Sequence, residues 1–397
     1  MTDTLAPARP RTDPVEPELR LRIGGVTRAE LATLAGAAGG SLALDWLLYE
    51  RLLPFSGALG FLLGWYLLFL ICYAGATRLQ WDGRLVRERL VSALAWSSGL
   101  LVVALTLDQI GYLVLQGITA ARHLNFFTES METTAALSPI TSGGALHAII
   151  GSLEQLGLAT LFSVPLGIAA AVFMSEVGGR LARPVRTLVE AMTALPSIVA
   201  GLFVLGVVIL TLGAERSGFA ASLALTVMMM PIITRAAEVV IRLVPGTLRE
   251  ASYALGASQW RTVWNVVLPT ARPGLATAVV LGMARGVGET SPVLLTSGVT
   301  PYFNHNPFSG QQISLPLYIW NYVRQPYPEM VARGFAAGLT LMAVVLVLFL
   351  VARALGGRRP GELSRRQRRQ IARDLGGRAA GGPSRRQRPL TARDAAA

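Results

Sequence analysis

Residues 250–269 read EASYALGASQWRTVWNVVLP, from Glu250 to Pro269. The stretch opens on Glu250-Ala251-Ser252, places Gly256 after three intervening residues, and closes on Val266, Leu268 and Pro269. It is a polar, arginine-bearing interruption between two apolar runs. A patterned element between membrane helices reads as a docking element rather than a connector.

The rest of the chain supplies that membrane setting. Of 397 residues, 52% are hydrophobic and 15% are charged, against about 25% charged in a soluble domain. Apolar runs recur from Leu31 to Leu355, many of them longer than the ~20 residues that cross a bilayer. They are too continuous for the alternating strands of an outer-membrane barrel. The expected class is all-α: a polytopic helical membrane protein. Eight spans are predicted, at about 31–49, 55–76, 91–118, 146–175, 187–213, 217–241, 272–297 and 331–353. Asp45, with Gly36, Gly39 and Gly40, makes the first the weakest helix. Gly60 and Gly64 are read as close-packing positions.

All 36 basic residues are arginine. A Walker A loop needs a lysine to reach the β- and γ-phosphates, so this chain does not bind ATP by that route. Cys72 is the single cysteine, which excludes an intramolecular disulfide. His123, His147 and His305 lack metal-ligand spacing. Residues 1–29 are polar and proline-rich and read as a disordered leader, without the form of a cleaved signal peptide.

Orientation follows from arginine placement. With the N-terminus inside, the inner segments hold 29 arginines and the outer ones five: Arg51, Arg122, Arg216, Arg324 and Arg333. Both termini are therefore expected in the cytoplasm. The tail repeats with a period of 20: Ser364-Arg365-Arg366-Gln367-Arg368 returns as Ser384-Arg385-Arg386-Gln387-Arg388. It reads as a positive-inside tail, with anionic-lipid or nucleic-acid binding as the alternative. The aromatics of the outer loop 298–330 read as an interfacial belt or a cap for a partner.

Two arginines remain inside spans. A central membrane arginine costs about 2.5–3.5 kcal/mol on insertion scales. Arg235 has Glu238 three residues on, and Arg285 has Glu289 four residues on, with Thr290 beside it. Each spacing places both charges on one helical face. They read either as structural ion pairs or as a site for a small oxyanion, which suits the planar guanidinium fork. Pro165, Pro196 and Pro231, with Gly201, Gly206, Gly282, Gly286 and Gly288, are expected to break and loosen helices around a pathway. Glu154-Gln155 in the fourth span has no assigned role.

Glu250, Ala251, Gly256, Leu268 and Pro269 match the EAA motif of ABC importer permeases, with Ser252 and Val266 as mild departures. The resemblance implies that the loop is a cytoplasmic coupling helix docking on an ATPase. The flanks narrow it: Ala194-Leu195-Pro196-Ser197-Ile198-Val199-Ala200-Gly201, Met230-Pro231-Ile232-Ile233-Thr234-Arg235, Ala284-Arg285-Gly286-Val287-Gly288-Glu289-Thr290-Ser291-Pro292 and Leu315-Pro316-Leu317-Tyr318-Ile319. These resemble the PstA-type permease of the phosphate-specific ABC importer. The resemblance covers about 91–353. It implies a type I permease fold with six core spans in a bacterial plasma membrane and inorganic phosphate as cargo. It also implies a PstC-like sister permease, a PstB-like ATPase dimer and a PstS-like phosphate-binding protein, with no nucleic-acid partner. No cofactor is expected on this chain; ATP and Mg would serve the ATPase.

The expected organisation is a leader at 1–29, an extra hairpin and loop at 30–90, a permease domain at 91–355 with a coupling loop at 242–271, and a tail at 356–397. Other readings are a molybdate or sulfate permease, the sister phosphate subunit, or a membrane scaffold signalling through its tail. A secondary transporter would leave the coupling loop superfluous.

Overall fold

A computed structural model of the chain describes residues 28–52, 57–81 and 83–356. Nearly all of the expected leader and tail, 1–27 and 357–397, lies outside the described residues. All regular structure among them is helical. Seven helices are long and apolar enough to span a membrane, or eight if one bent pair counts as a span.

The chain divides into two compact units at Asp108–Gln109. The first contains α1 (Arg28–Trp46, continued by wider π turns over Leu47–Leu52), α2 (Ala58–Gln80) and the start of α3 (Gly83–Ala121). The α1–α2 hairpin closes on the expected glycines. A Cβ on Gly64 would lie 2.6 Å from Asp45 Oδ1, and one on Gly60 would strike the Tyr49 hydroxyl. Asp45 is buried, held where glycine lets a polar side chain slip between two apolar helices.

The second unit holds the rest: α4 (Asn125–Thr128), α5 (Leu146–Val172, with π turns to Val177), α6 (Ala182–Ala194), α7 (Ser197–Val204, with π turns to Thr211), α8 (Gly218–Arg242), α9 (Gly246–Ala254), α10 (Gln259–Thr262, with π turns over Val263–Val267), α11 (Leu268–Val287), α12 (Ser291–Thr296), α13 (Leu315–Tyr322) and α14 (Pro328–Gly356).

Helix α8 is the axis of this unit, packed by α5 on one side and α11 on another. Ser217 starts it, its hydroxyl accepting from the Ala220 amide at 3.2 Å, which satisfies an otherwise orphaned helix-start donor. Fifteen of its residues are buried, and its charged residues, Arg235, Glu238 and Arg242, gather toward its C-terminal end. Ile233 is wedged between two glycines. A Cβ on Gly167 of α5 would sit 3.0 Å from its Cγ2, and one on Gly282 of α11 would sit 2.5 Å from its Cγ1. Gly201 likewise backs onto Pro292, and Gly286 onto Met229. These three of the five pathway glycines close helix contacts rather than break helices; Gly206 and Gly288 face open space. Pro165 and Pro231 lie within helices.

Two predicted spans are drawn differently. The stretch 187–213 is not one rod: α6 and α7 meet at 106°. Pro196 forces Leu195 out of helical geometry (φ −68°, ψ 131°), and Arg183, Arg186 and Glu190 give α6 a polar face. The stretch 272–297 ends its helix at Val287 and restarts as α12. At its other end that helix continues back through π turns to Gln259.

The ends of the bundle that the arginine count assigns to the outside and inside are its outer and inner ends. At the outer end, Gln312–Leu315 threads back beside α5. The Gln155 amide donates to the Gln312 carbonyl at 3.0 Å, Gln312 Nε2 donates to Glu154, and the Leu315 amide donates to Ser152 Oγ at 2.6 Å. A Cβ on Gly151 would strike the Ile313 carbonyl. This gives Glu154 and Gln155 their role. Of the loop aromatics, Tyr318 is fully buried, whereas Tyr302, Phe308 and Trp320 are exposed. Burial pushes the Tyr322 phenol up to about 12, and its ring lies tilted against that of Tyr318, with centroids 4.2 Å apart.

Candidate functional site

The stretch that opened the sequence is mostly helix. α9 carries Glu250, Ala251 and Ser252; Gly256 ends it with φ +78°, a left-handed value that side chains with a Cβ resist. The Ala257 amide returns to the Ser252 carbonyl at 3.2 Å, closing the helix end around that glycine. Ser258 then caps α10, accepting from the Arg261 amide at 3.4 Å. Ser252 Oγ meets Thr262 Oγ1 at 2.9 Å, folding the two helices together. Leu268 and Pro269 do not belong to a loop: they follow the π turns over Val263–Val267 directly, inside a helical run that extends from Gln259 to Val287.

The element presents an exposed face of Glu250, Ala251, Tyr253, Leu255 and Trp260. Its opposite side is fastened. Arg249 forks onto Glu176, with Nη2–Oε1 at 2.6 Å and Nε–Oε2 at 3.2 Å. It also donates to the Val244 and Ile241 carbonyls at 2.7 and 3.0 Å. Glu176 is 6% exposed and follows α5; Ile241 and Val244 belong to the end of α8. One guanidinium thus ties α9 to two bundle helices. The sequence reading missed Glu176 and Arg249, although an acid ending an apolar span and an arginine before Glu250 were visible.

Above this element lies a ladder of charge. Both expected pairs form, Arg235 with Glu238 at 3.4 Å and Arg285 with Glu289 at 2.9 Å. They differ in surroundings. Glu238 is 3% exposed and also receives Arg186 at 2.7 Å and Arg242 at 2.5 Å. Arg235 further reaches Glu190 at 3.2 Å. Five charges from α6 and α8 therefore form one cluster, and every donor of the desolvated carboxylate's shell is charged. Arg186, Glu190 and Arg242 were not singled out from sequence: Glu190 lay inside the span drawn at 187–213, and Arg186 and Arg242 were counted only as arginines of the inner segments.

Arg285 has a simpler setting. Its side chain is 57% exposed, and among the described residues Glu289 is its one ion-pair partner. Glu289 is 8% exposed and sits beside a chamber of about 10 Å³ lined by Ser152, Gln155 and Ser314. Thr290 precedes α12 and its carbonyl accepts from the Leu294 amide. Val240 lies opposite Gly274, and Met229 opposite Gly286. Arg285 is therefore level with Met230, and five residues of α8 separate that level from Arg235, about 7.5 Å along the axis. The two arginines stand on contacting helices as successive rungs, not as one clamp.

The bundle thus sets a fastened, partly exposed helical element between two charge-bearing spans. Residues 163–359 match the model of the binding-protein-dependent transport system inner membrane component family, and the chain belongs to that family. The "Phosphate transport system permease protein PstA 1" of Mycobacterium tuberculosis (strain CDC 1551 / Oshkosh) is 41% identical over 240 residues, 60% of this chain and 78% of that protein. PstA of Mycobacterium leprae (strain TN) is 36% identical over 263 residues, 66% of this chain and 86% of that one. A probable ABC transporter permease, YqgI of Bacillus subtilis (strain 168), is 32% identical and covers 69% of this chain and 96% of its own length.

Proposed function

We infer that this chain is a PstA-type permease subunit of an ATP-driven inorganic phosphate importer in a bacterial plasma membrane. The observation that carries the reading is the α9 element. It is exposed on one side, locked through Arg249 on the other, and set between the helices bearing Arg235 and Arg285. The cargo rests on the likeness to PstA permeases. Both termini are assigned to the cytoplasm, and the permease domain to 91–355, with 30–90 an added hairpin. The chain binds no cofactor; a PstB-like ATPase dimer hydrolyses ATP with Mg and receives the 250–256 face. A PstC-like permease completes the path, and a PstS-like protein delivers phosphate at the outer end.

The five substrate-path residues take two roles. Arg285, Glu289 and Thr290 meet the anion first: Arg285 has guanidinium donors beyond its single carboxylate, which a phosphate oxygen pair matches. Arg235 and Glu238 belong to the inner cluster, whose ion pairs join α6 to α8 and close the inner exit. ATP-driven movement of α9 shifts the α8 end and opens that cluster, which is a population shift between two packed states.

The test is phosphate uptake by the reconstituted complex. Arg285→Gln is expected to lower uptake about 10- to 100-fold, the equivalent of losing one charged hydrogen bond, with assembly intact and Arg285→Lys partly active. Uptake unchanged by Arg285→Gln would remove Arg285 from the path. Inhibition by molybdate or sulfate at lower concentration than phosphate would reassign the cargo. Gly256→Val tests the docking element, since a β-branched residue at φ +78° is strained by about 1–3 kcal/mol. The expected result is loss of bound ATPase or of stimulated hydrolysis; a fully coupled complex would contradict the assignment.

A further inference from the structure

The second unit carries a groove that the transport reading leaves unused. It is about 600 Å³, lies among α3, α11 and α14, and has an exclusively apolar lining. Val280 and Val287 form its floor, at 9% and 6% exposure, and Met342, Leu346 and Phe349 its exposed rim. It runs along α14 from Gly338 to Phe349, about 16 Å of helix. One leaflet of a bilayer has a hydrocarbon depth of about 15 Å.

Charge marks one end of the groove. Val280 of α11 and Phe349 of α14 lie toward its inner end. Beyond them stand Arg272 and Arg353, both exposed, neither with an ion-pair partner among the described residues. Arg353 follows Met342, Leu346 and Phe349 at intervals of eleven, seven and four residues, so it continues the rim face of α14. Arg272 lies eight residues before Val280 on α11, about 12 Å further along the axis. Long arginine side chains at a helix end reach for the headgroup layer.

We propose that this groove binds one acyl chain of an anionic phospholipid of the inner leaflet, with Arg272 and Arg353 holding its phosphate. The length matches one leaflet, the lining matches a hydrocarbon chain, and the two exposed cations beyond its inner end match the headgroup. The inner leaflet is also where anionic lipid attracts arginine. The proposal rests on the orientation assigned above but not on the cargo.

The test uses the full-length chain in its complex, in phosphatidylcholine vesicles containing either diazirine-acyl phosphatidylglycerol or diazirine-acyl phosphatidylcholine. Photolabel is expected to concentrate on peptides spanning 280–287 and 338–349, with phosphatidylglycerol preferred. The double change Arg272→Gln with Arg353→Gln should reduce that preference roughly tenfold. Ala284→Phe, which fills the groove and leaves both arginines, should lower labelling by either probe. Label spread evenly over the bundle, or equal for both headgroups, would overturn the proposal. So would a disulfide between Met342→Cys and a cysteine scanned along the sister permease, because the groove would then hold protein. The readout is labelling, so its failure leaves the phosphate reading intact, and loss of uptake in other variants leaves the lipid site intact.

Discussion

Arg249→Ala is expected to abolish ATP-driven uptake while leaving the exposed docking face of α9 in place. The change strands Glu176, a carboxylate only 6% exposed, and releases the carbonyls of Ile241 and Val244. Breaking a buried ion pair from one side costs about 3–5 kcal/mol. Arg249 is itself 20% exposed, so solvent recovers part of this and about 2–3 kcal/mol is expected. The signature is the combination: the ATPase still binds, hydrolysis continues, and phosphate stays outside. A double-mutant cycle with Glu176→Gln measures the link directly, because the two losses should be far less than additive. If Arg249→Ala transports normally, α9 moves the bundle by some route other than this guanidinium.

The second large effect is expected at the outer end. Arg333 was counted from sequence as an outer-loop arginine, yet it is completely buried. One of its nitrogens, Nη2, donates to the carbonyls of Ser138, Pro139 and Ser142, at 3.2, 2.6 and 2.8 Å. It thereby pins the loop 119–145 onto α14. Arg333→Met fills most of the volume but leaves the Ser138 and Ser142 carbonyls without a donor, at about 1–3 kcal/mol each where water cannot enter, while the Pro139 carbonyl keeps the Ser142 amide at 3.0 Å. The expected result is a large drop in melting temperature, with faster amide exchange across 134–144. Arg333→Lys should rescue little, since a single ammonium on a flexible stem does not reproduce the fixed fork. A variant melting like the parent would mean that the loop is held by its other bonds, among them the Asn125 amide to the Ile140 and Gly143 carbonyls and the Gly143 amide to Glu129.

The membrane architecture was legible because it depends on long runs of one kind of residue. The apolar spans, the two Arg–Glu pairs and the glycine start of the 256 turn all follow from local rules. What escaped was decided by partners distant in sequence. Nothing near Glu176 announces Arg249, 73 residues away. Arg333 looked like a surface cation because its three acceptors are backbone atoms, which carry no sequence signature. The merged span at 187–213 failed differently. Leu195-Pro196 and the polar face of α6 were both in view, but average hydropathy outweighed them. Leu268 and Pro269 were placed in a loop because the motif ends on them, whereas they lie within the helical run from Gln259 to Val287.

Ile233, seated between Gly167 and Gly282, gives α8 a fulcrum. Nine residues, about 13.5 Å, separate it from Arg242, and fifteen, about 22.5 Å, from Gly218. The two lever arms are unequal, so a tilt about that seat carries the outer end about 1.7 times as far as the inner end. A small displacement of α8 at its α9 end is therefore geared up by the time it reaches Gly218.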